Sequence, residues 1–398
     1  MDDAMTVSVS ELAADPDGFL KRAHGGRCPF AHTDIGPMAL THDAVRGLVQ
    51  NRKLRPAFTR VLDFAGVPGG TFYEWMARSA LDMDGDEHRI WRRLMSRTFT
   101  PHNVEQLRPT LRRESEALAA TLATKTHAEF IGEYARILPA IGLCELVGVP
   151  TRDRALFGDW ADTIGLGFNF TLVAARIKEI DAALTALLDY SDRLVAARRA
   201  DPQDDLISRL IRAADEEKTI EPVVVRDSVA GLVFAGHETT KNQLGWMVLT
   251  LCTHAPAEWD RVANDPSRAR AVVEEVMRFR SAATSLGRMA TEDVELFGIQ
   301  FPAGTSIVGS LWAANRDPAE FPTPQEFDVD ANEGRSHLAF GQGPHHCLGA
   351  ALARAELQES LIALTQRLEC PKLEEGATFL PPFGITGPLT LPISYRAR

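Results

Sequence analysis

The chain is poor in cysteine: Cys28, Cys144, Cys252, Cys347 and Cys370 are all it has in 398 residues. They are odd in number, scattered, and never form Cys-x-x-Cys. A disulfide scaffold or a four-cysteine zinc site is thereby excluded, and a reducing compartment is expected. Long apolar runs are lacking as well. The longest, about nine residues around Leu244–Cys252, falls well short of the roughly 20 that span a bilayer. Basic residues are outnumbered, 43 against 54, and a net charge of −11 argues against broad nucleic-acid affinity. The opening MDDAMTVSVSELAADPDG is acidic where a signal peptide needs basic and then apolar residues. No repeat, charge block or Gly/Ser linker divides the sequence. A soluble, cytoplasmic protein is expected.

What is present is ordinary globular material, 45% apolar and 24% charged. Apolar residues at three- and four-residue spacing predict a short helix over Thr41–Asn51. The pattern is mainly helical from Glu87 to Leu210, with long stretches at Pro109–Thr124 and Ala175–Ala200. Pro222 and Pro256 bracket a proline-free segment of about 30 residues, roughly 45 Å of helix, enough to cross a domain. Its flanks, VAGLVFAG and LGWMVLTLC, are apolar nearly all round and must be buried. Its middle reads His237-Glu238-Thr239-Thr240-Lys241-Asn242-Gln243, polar groups that are costly in a core unless paired or used. After Arg280 the texture changes. Val294-Glu295-Leu296, Ile299-Gln300-Phe301 and Ser306-Ile307-Val308 predict short strands around Gly298 and Pro302-Ala303-Gly304. Helix returns at Leu348–Leu368. The fold class expected is mainly α with small β-sheets.

The most informative stretch is HLAFGQGPHHCLGAALARAEL, His337 to Leu357. Gly341, Gly343 and Gly349 surround Cys347, which stands just before a helix. Unpaired N–H groups and the positive end of the dipole favour its thiolate. Glycines let the backbone approach a flat, bulky ligand. An anionic sulfur cradled by N–H groups is what a thiolate-ligated haem iron requires. A phosphate loop would end in Gly-Lys-Ser/Thr, and this one does not. His345, His346 and Cys347 are adjacent and cannot easily converge on one zinc ion. A buried core thiol is the remaining bland reading.

Phe340-Gly341-x-Gly343-x-His345-x-Cys347-Leu348-Gly349, followed by Ala353-Arg354-x-Glu356, resembles the haem-binding signature of the cytochrome P-450 family, soluble bacterial type. The resemblance runs from His88 to the C-terminus and implies one large domain over residues 1–398, a monomer. Haem b would sit between the long central helix and the helix after the cysteine loop. Cys347 is then the axial ligand, Phe340 packs beside it with Gly349 close by, and His345 bonds a haem propionate. His88 and Arg92 match a propionate-binding pair, and Arg288 a further propionate partner. Ala235-Gly236-x-Glu238-Thr239-Thr240 resembles the oxygen-activating motif, with Ala235 facing the haem and Glu238 and Thr239 as the catalytic proton-handling pair. Thr239 lies four residues after Ala235, so its hydroxyl can take that carbonyl and open the helical ladder. A zinc-protease reading of His237-Glu238 fails because Lys241 stands where a second histidine is needed.

Glu275 and Arg278 are, on spacing alone, an i,i+3 surface pair. The resemblance makes them the buried brace of the haem loop. The family's third member of that network is lacking here, and Arg335 is the candidate substitute. By position in the family the substrate pocket draws on Phe72–Trp75, Trp160–Leu172, Phe234, Thr284–Leu286 and Phe383–Thr386. Phe72, Phe168, Phe170, Phe234, Thr284, Leu286 and Ile385 are the residues expected to line it. That lining has no evident charged anchor and fits a medium-sized hydrophobic molecule.

The implied reaction inserts one atom of dioxygen into that substrate by hydroxylation or epoxidation. Electrons would come from a separate ferredoxin and an NAD(P)H-dependent ferredoxin reductase. Arg89, Arg93 and Arg97, clustered with Arg92 in an otherwise acidic chain, form the expected docking patch. Oxidative coupling, nitration or peroxide-driven oxidation on the same fold is the first alternative, and a non-catalytic haem sensor the second. No nucleic acid or membrane partner is expected.

Overall fold

Proline decides where the longest helix begins and ends. Pro222 occupies its first turn, where a missing N–H costs nothing, and Pro256 lies just past its last residue, Thr253. The computed structural model describes residues 3–26, 28–97, 99–217 and 221–398, and is mostly helical with four small sheets among the described residues. The central helix Pro222–Thr253 packs against Ile137–Val147, Arg154–Gly165, Val173–Ala200 and Ala350–Arg367. Its first half places Val225, Val229, Val233 and Phe234 in one core with Phe157, Ile164, Leu184 and Leu187. Its second half places Leu244, Met247, Val248 and Leu251 in another with Trp259, Val272, Leu361 and Leu364. Truncating a buried leucine of this kind to alanine costs about 2–5 kcal/mol.

The polar middle of that helix is buried and paired. His237 Nε2 lies 3.0 Å from the Arg136 carbonyl. Lys241 Nζ donates to Glu238 at 2.6 Å and to Asp162 at 2.7 Å, and Asn242 Nδ2 donates to Glu238 at 2.9 Å. Gln243 donates to the Arg280 carbonyl and accepts from the Ala282 N–H. These bonds tie the helix to its neighbours where apolar packing is interrupted.

One helix boundary and one set of strands differ from the sequence reading. The helix expected from Pro109 begins at Pro101, capped by the Thr100 hydroxyl on the Asn103 N–H, and runs through Pro109 to Leu122. The strong cap and first-turn proline outweigh the break that an internal proline implies. The first 60 residues also carry strands that the sequence pattern did not reveal. Phe30–Thr33 and Gly36–Ala39 pair antiparallel, and the latter runs parallel to Ser306–Ser310. Ser285–Ala290 and Leu54–Pro56 complete a five-stranded sheet. The strands Val294–Leu296 and Ile299–Phe301 form a hairpin as expected, and the last long helix spans Ala350–Arg367.

The helix Ala269–Phe279 carries the brace. Arg278 holds Glu275 through two bonds of 2.7 Å, and both side chains are almost fully buried. Arg278 also donates to the carbonyls of Asn315, Pro324 and Glu326. The third member is not Arg335, which is exposed, but Asn332, whose Nδ2 donates to Glu275 Oε1 at 3.1 Å beside the Asp328 N–H at 2.8 Å. A neutral amide fits because Glu275 already has its one cation; a second charge would need a second counter-ion. Replacing Arg278 by Met strands Glu275 as an uncompensated buried charge. The expected loss is about 3–5 kcal/mol, read as a lower midpoint in a denaturant titration, whereas an unchanged midpoint would contradict the brace.

Candidate active site

The cysteine loop is shaped by its backbone. Gly341 and Gly343 take φ of +63° and +72°, and a Cβ on Gly343 would stand 3.0 Å from the Val49 carbonyl oxygen. The Cys347 N–H donates to the Phe340 carbonyl at 2.9 Å, closing the turn. Three residues later the helix Ala350–Arg367 starts, with Gly349 as its N-cap. The sulfur receives the N–H groups of Gly349 and Ala350. Its open surface faces a cavity of about 470 Å³. Burial pushes the Cys347 thiol up, against the pull of these N–H groups and of Arg92 and Arg354. The Gly349 and Ala350 N–H groups act in the direction the sequence reading expects, and burial outweighs them. Coordination to a metal cation is what deprotonates such a thiol.

Outside the loop, Arg354 places its guanidinium 4.5 Å from the Phe340 ring centroid and grips Glu274 through bonds of 2.7 and 2.8 Å. His337 Nε2 lies 3.2 Å from the same carboxylate. Glu274 thus joins the helix Ala269–Phe279 to both ends of the loop. It went unread in the sequence, although it directly precedes Glu275.

Four nitrogen-bearing side chains meet at another part of the cavity wall: His88 and Arg92 from the helix Gly85–Ser96, Arg288 from the strand Ser285–Ala290, and His345 from the loop. The His88 and His345 rings stack with centroids 3.9 Å apart. Neither Arg92 nor Arg288 makes an ion pair among the described residues. Burial, then neighbouring positive charge, lowers His345 to about 4. Burial lowers Arg288 to about 10 and also lowers His88 and Arg92. This group of N–H donors, in which neither arginine has an ion-pair partner and Asp84 is the acid that acts on it, is a receptor for carboxylates. Together with an open cysteine sulfur on the same cavity, it fits a dicarboxylate prosthetic group with a soft metal centre, and the residues can hold haem.

On the central helix, Thr239 Oγ1 donates to the Ala235 carbonyl at 2.7 Å, the pairing its spacing predicts, while the helix runs unbroken. Ala235, Gly236 and Thr239 line the cavity; Glu238 does not. Its carboxylate is turned towards the helix Arg154–Gly165, in the grip of Lys241 and Asn242. Burial raises its pKa against the pull of Lys241. Lys241, first read only as the wrong residue for zinc, is the clamp; its i,i+3 spacing from Glu238 was the available signal.

Of the pocket residues, Phe168, Phe170, Phe234, Leu286 and Ile385 line the cavity, with Phe340 and Gly349 nearer the sulfur. Phe72 does not. It is fully buried against Trp75 and Phe168, and only the missing side chain of Gly167 makes room for its ring. Thr284 does not either: its hydroxyl and N–H bind the backbone of Gly384, fixing the turn that presents Ile385. The wall is also less uniformly apolar than the sequence implied. Arg78 and Asp227 reach it as an ion pair, with Arg226 also on Asp227, and Glu356 reaches it alone.

A family profile, Cytochrome P-450, matches residues 267–386. Luteothin monooxygenase of Streptomyces thioluteus is 30% identical over 369 residues, 92% of this chain and 90% of that protein. Mycinamicin IV hydroxylase/epoxidase of Micromonospora griseorubida is 36% identical over 326 residues, 80% of each. Erythromycin C-12 hydroxylase of Saccharopolyspora erythraea is 34% identical over 322 residues, 80% of this chain and 78% of that protein. Among solved structures, P-450 BioI in complex with hexadec-9Z-enoic acid ligated acyl carrier protein superposes with a TM-score of 0.88. It is 26% identical and covers 98% of this chain and 100% of its own.

The Glu274 geometry has a consequence for acid stability. Burial alone would raise this carboxyl, but the hydrogen bonds from His337 and Arg354 prevail and hold it at about 2, below its ordinary 4.5. A carboxylate held down in the fold stabilises it fully above the unfolded value and loses that contribution as pH falls towards the folded one. Between pH 4.5 and about 2 the Glu274→Gln variant should therefore lose less stability than the wild type. Parallel acid limbs in a denaturant–pH series would refute this.

Proposed function

The chain belongs to the cytochrome P-450 family and is a haem-thiolate monooxygenase, and on that premise we propose which residues perform the reaction and on what. Cys347 is the iron ligand, with Phe340 and Gly349 shielding the sulfur. His88, Arg92, Arg288 and His345 bind the two haem carboxylates. The bound haem supplies the dioxygen chemistry, in which one oxygen atom enters the substrate and the other leaves as water. The observation that carries this assignment is the meeting of the Cys347 sulfur, four nitrogen-bearing side chains and the Thr239 hydroxyl on one cavity.

Thr239 holds a proton at Oγ1, oriented by the Ala235 carbonyl, and passes it into the cavity. Ala235 and Gly236 keep that stretch of wall thin. Glu238 replenishes Thr239. Because Lys241 and Asn242 hold its carboxylate away from the cavity, the transfer requires the side chain to exchange those bonds for a path past Thr239. Thr239→Ala should leave haem binding intact while raising peroxide release and lowering product per electron consumed. Full coupling in that variant would remove Thr239 from the mechanism.

The substrate is a medium-sized hydrophobic molecule, hydroxylated or epoxidised, held by Phe168, Phe170, Phe234, Leu286 and Ile385. The relatives that act on mycinamicin IV and erythromycin support a secondary metabolite of that size. No described helix is long and apolar enough to cross a membrane, and we place the enzyme in the cytoplasm.

Electrons arrive from a separate ferredoxin docking on the helix Gly85–Ser96. Of its arginines, Arg92 is committed to the cavity, Arg89 pairs with Asp86, and Arg93 pairs with Glu217; Arg93 and Arg97 remain exposed at the face. Arg93→Glu should slow ferredoxin reduction, and the slowing should shrink as salt rises. Rates equal to wild type at low ionic strength would move the docking site elsewhere.

A further inference from the structure

One ion pair on the cavity wall has no part in the roles above. Asp227 of the central helix is buried and accepts from two arginines. Arg78 Nε donates to Oδ2 at 3.0 Å, and Arg226 Nε and Nη2 donate to Oδ1 at 2.9 and 2.7 Å. Arg226 does not reach the cavity, and Asp192 lies 3.7 Å from its other terminal nitrogen. Arg78 does reach it, and its two terminal nitrogens make no hydrogen bond among the described residues. Two guanidinium groups on one carboxylate leave a positive charge over, and Arg78 is where that charge meets the cavity.

Arg78 follows the short helix Thr71–Ala77 and opens a stretch, Arg78 to Leu81, in which every residue lines the cavity. Leu81 is exposed, so this stretch forms the rim. Beside Asp227, Ser228 Oγ accepts from the Trp91 indole N–H at 2.9 Å, which leaves its own proton for a second acceptor. Inward from that corner the wall is apolar, built by Leu232, Phe234, Phe168, Phe170, Leu286 and Ile385. Asp227 and Ala235 lie on the same helix, about 12 Å apart along its axis. A cationic rim and an apolar interior at that separation match a molecule with an acid at one end. At the rim a carboxylate keeps part of its hydration, so holding it avoids the full cost of burying a charge.

We propose that the substrate is an amphipathic carboxylic acid and that Arg78 selects it by binding its carboxylate at the rim of the cavity. The proposal rests on the monooxygenase reading and deepens it by naming the substrate class. The outer edge of the guanidinium, Nη1 and Nη2, meets both carboxylate oxygens while Nε stays on Asp227. Ser228 stands alongside as a further donor. Asp227 is a positioning residue: it fixes the plane of Arg78, and the hold of Arg226 on its other oxygen limits its repulsion of the incoming anion. The reaction itself is unchanged. With two electrons and two protons, one oxygen atom enters the apolar part remote from the carboxylate, and the other leaves as water. A neutral molecule of the same shape fills the same wall without this contact.

Calorimetric titration of the holoenzyme with dodecanoate and with its methyl ester separates this contact from the apolar wall that both probes share. The acid should bind the wild type about tenfold more tightly than the ester, and added salt should narrow that margin. Arg78→Gln should weaken dodecanoate binding by about tenfold and leave the ester nearly unchanged. Arg78→Lys, which keeps the charge but loses the planar fork, should recover part of the loss. Because Arg226 still holds Asp227, both variants should fold, and their reduced carbon-monoxide adducts should keep thiolate-type absorption. A wild type that fails to bind dodecanoate or binds both probes equally, or a preference for the acid that survives Arg78→Gln, overturns the assignment. A wild-type adduct lacking thiolate character would instead overturn the reading beneath it.

Discussion

Everything in this molecule depends on holding one sulfur still. Cys347 sits in a loop with almost no side-chain anchoring of its own. Its path is set by two left-handed glycines, by N–H to carbonyl bonds from Gly341 to Leu338, His346 to Gly343 and Cys347 to Phe340, and by two N–H groups at the start of the next helix. These bonds lie within the loop and shape it without tying it to the rest of the fold. Rigidity is imported from the helix Ala269–Phe279, through adjacent acids with different duties. Glu274 clamps both ends of the loop by way of His337 and Arg354. Glu275, with Arg278 and Asn332, fixes the long segment that leads into it. Neighbouring helical positions point about 100° apart, so two consecutive carboxylates can serve two networks without competing.

The same economy explains the pKa pattern. Four nitrogen bases are gathered where burial disfavours each of their charged forms. An apolar filling would relieve that strain at once. Asp84 acts on three of them but pairs with neither arginine, and two carboxylates on one rigid group would supply the missing half of the interaction. The fold is therefore destabilised locally in favour of ligand binding, and binding should return that stability to the whole chain.

How much of this was legible in the sequence varied with the range of the interaction. The cysteine loop, the long helix and the Thr239 bond to Ala235 are local, and spacing reveals them directly. The five-stranded sheet was not legible, because its strands join residues 30–56 to residues 285–310 and each is only a few residues long. Asn332 was missed for a related reason. A neutral amide gives no charge pattern to search for, and its meaning appears only once Glu275 is seen to have one cation already. Phe72 and Thr284 fell in stretches that border the cavity, but a stretch does not say which way a side chain turns. Phe72 turns into the core, and Thr284 spends its hydroxyl on a backbone.

The central helix shows why orientation matters more than composition. Seven consecutive polar residues cross its middle, yet the turn of the helix divides them among different tasks. Thr239, Thr240 and Gln243 fall on the stripe that continues Ser228, Leu232 and Ala235 along the cavity. His237, Glu238 and Lys241 fall outside it, where His237 meets Arg136, and Lys241 meets Asp162. An acid beside an alcohol in sequence is thus an acid on a different face in space. Proton transfer between them needs motion of Glu238. Mobility at Glu238 is opposed by a buried ammonium and an amide, each holding one of its oxygens.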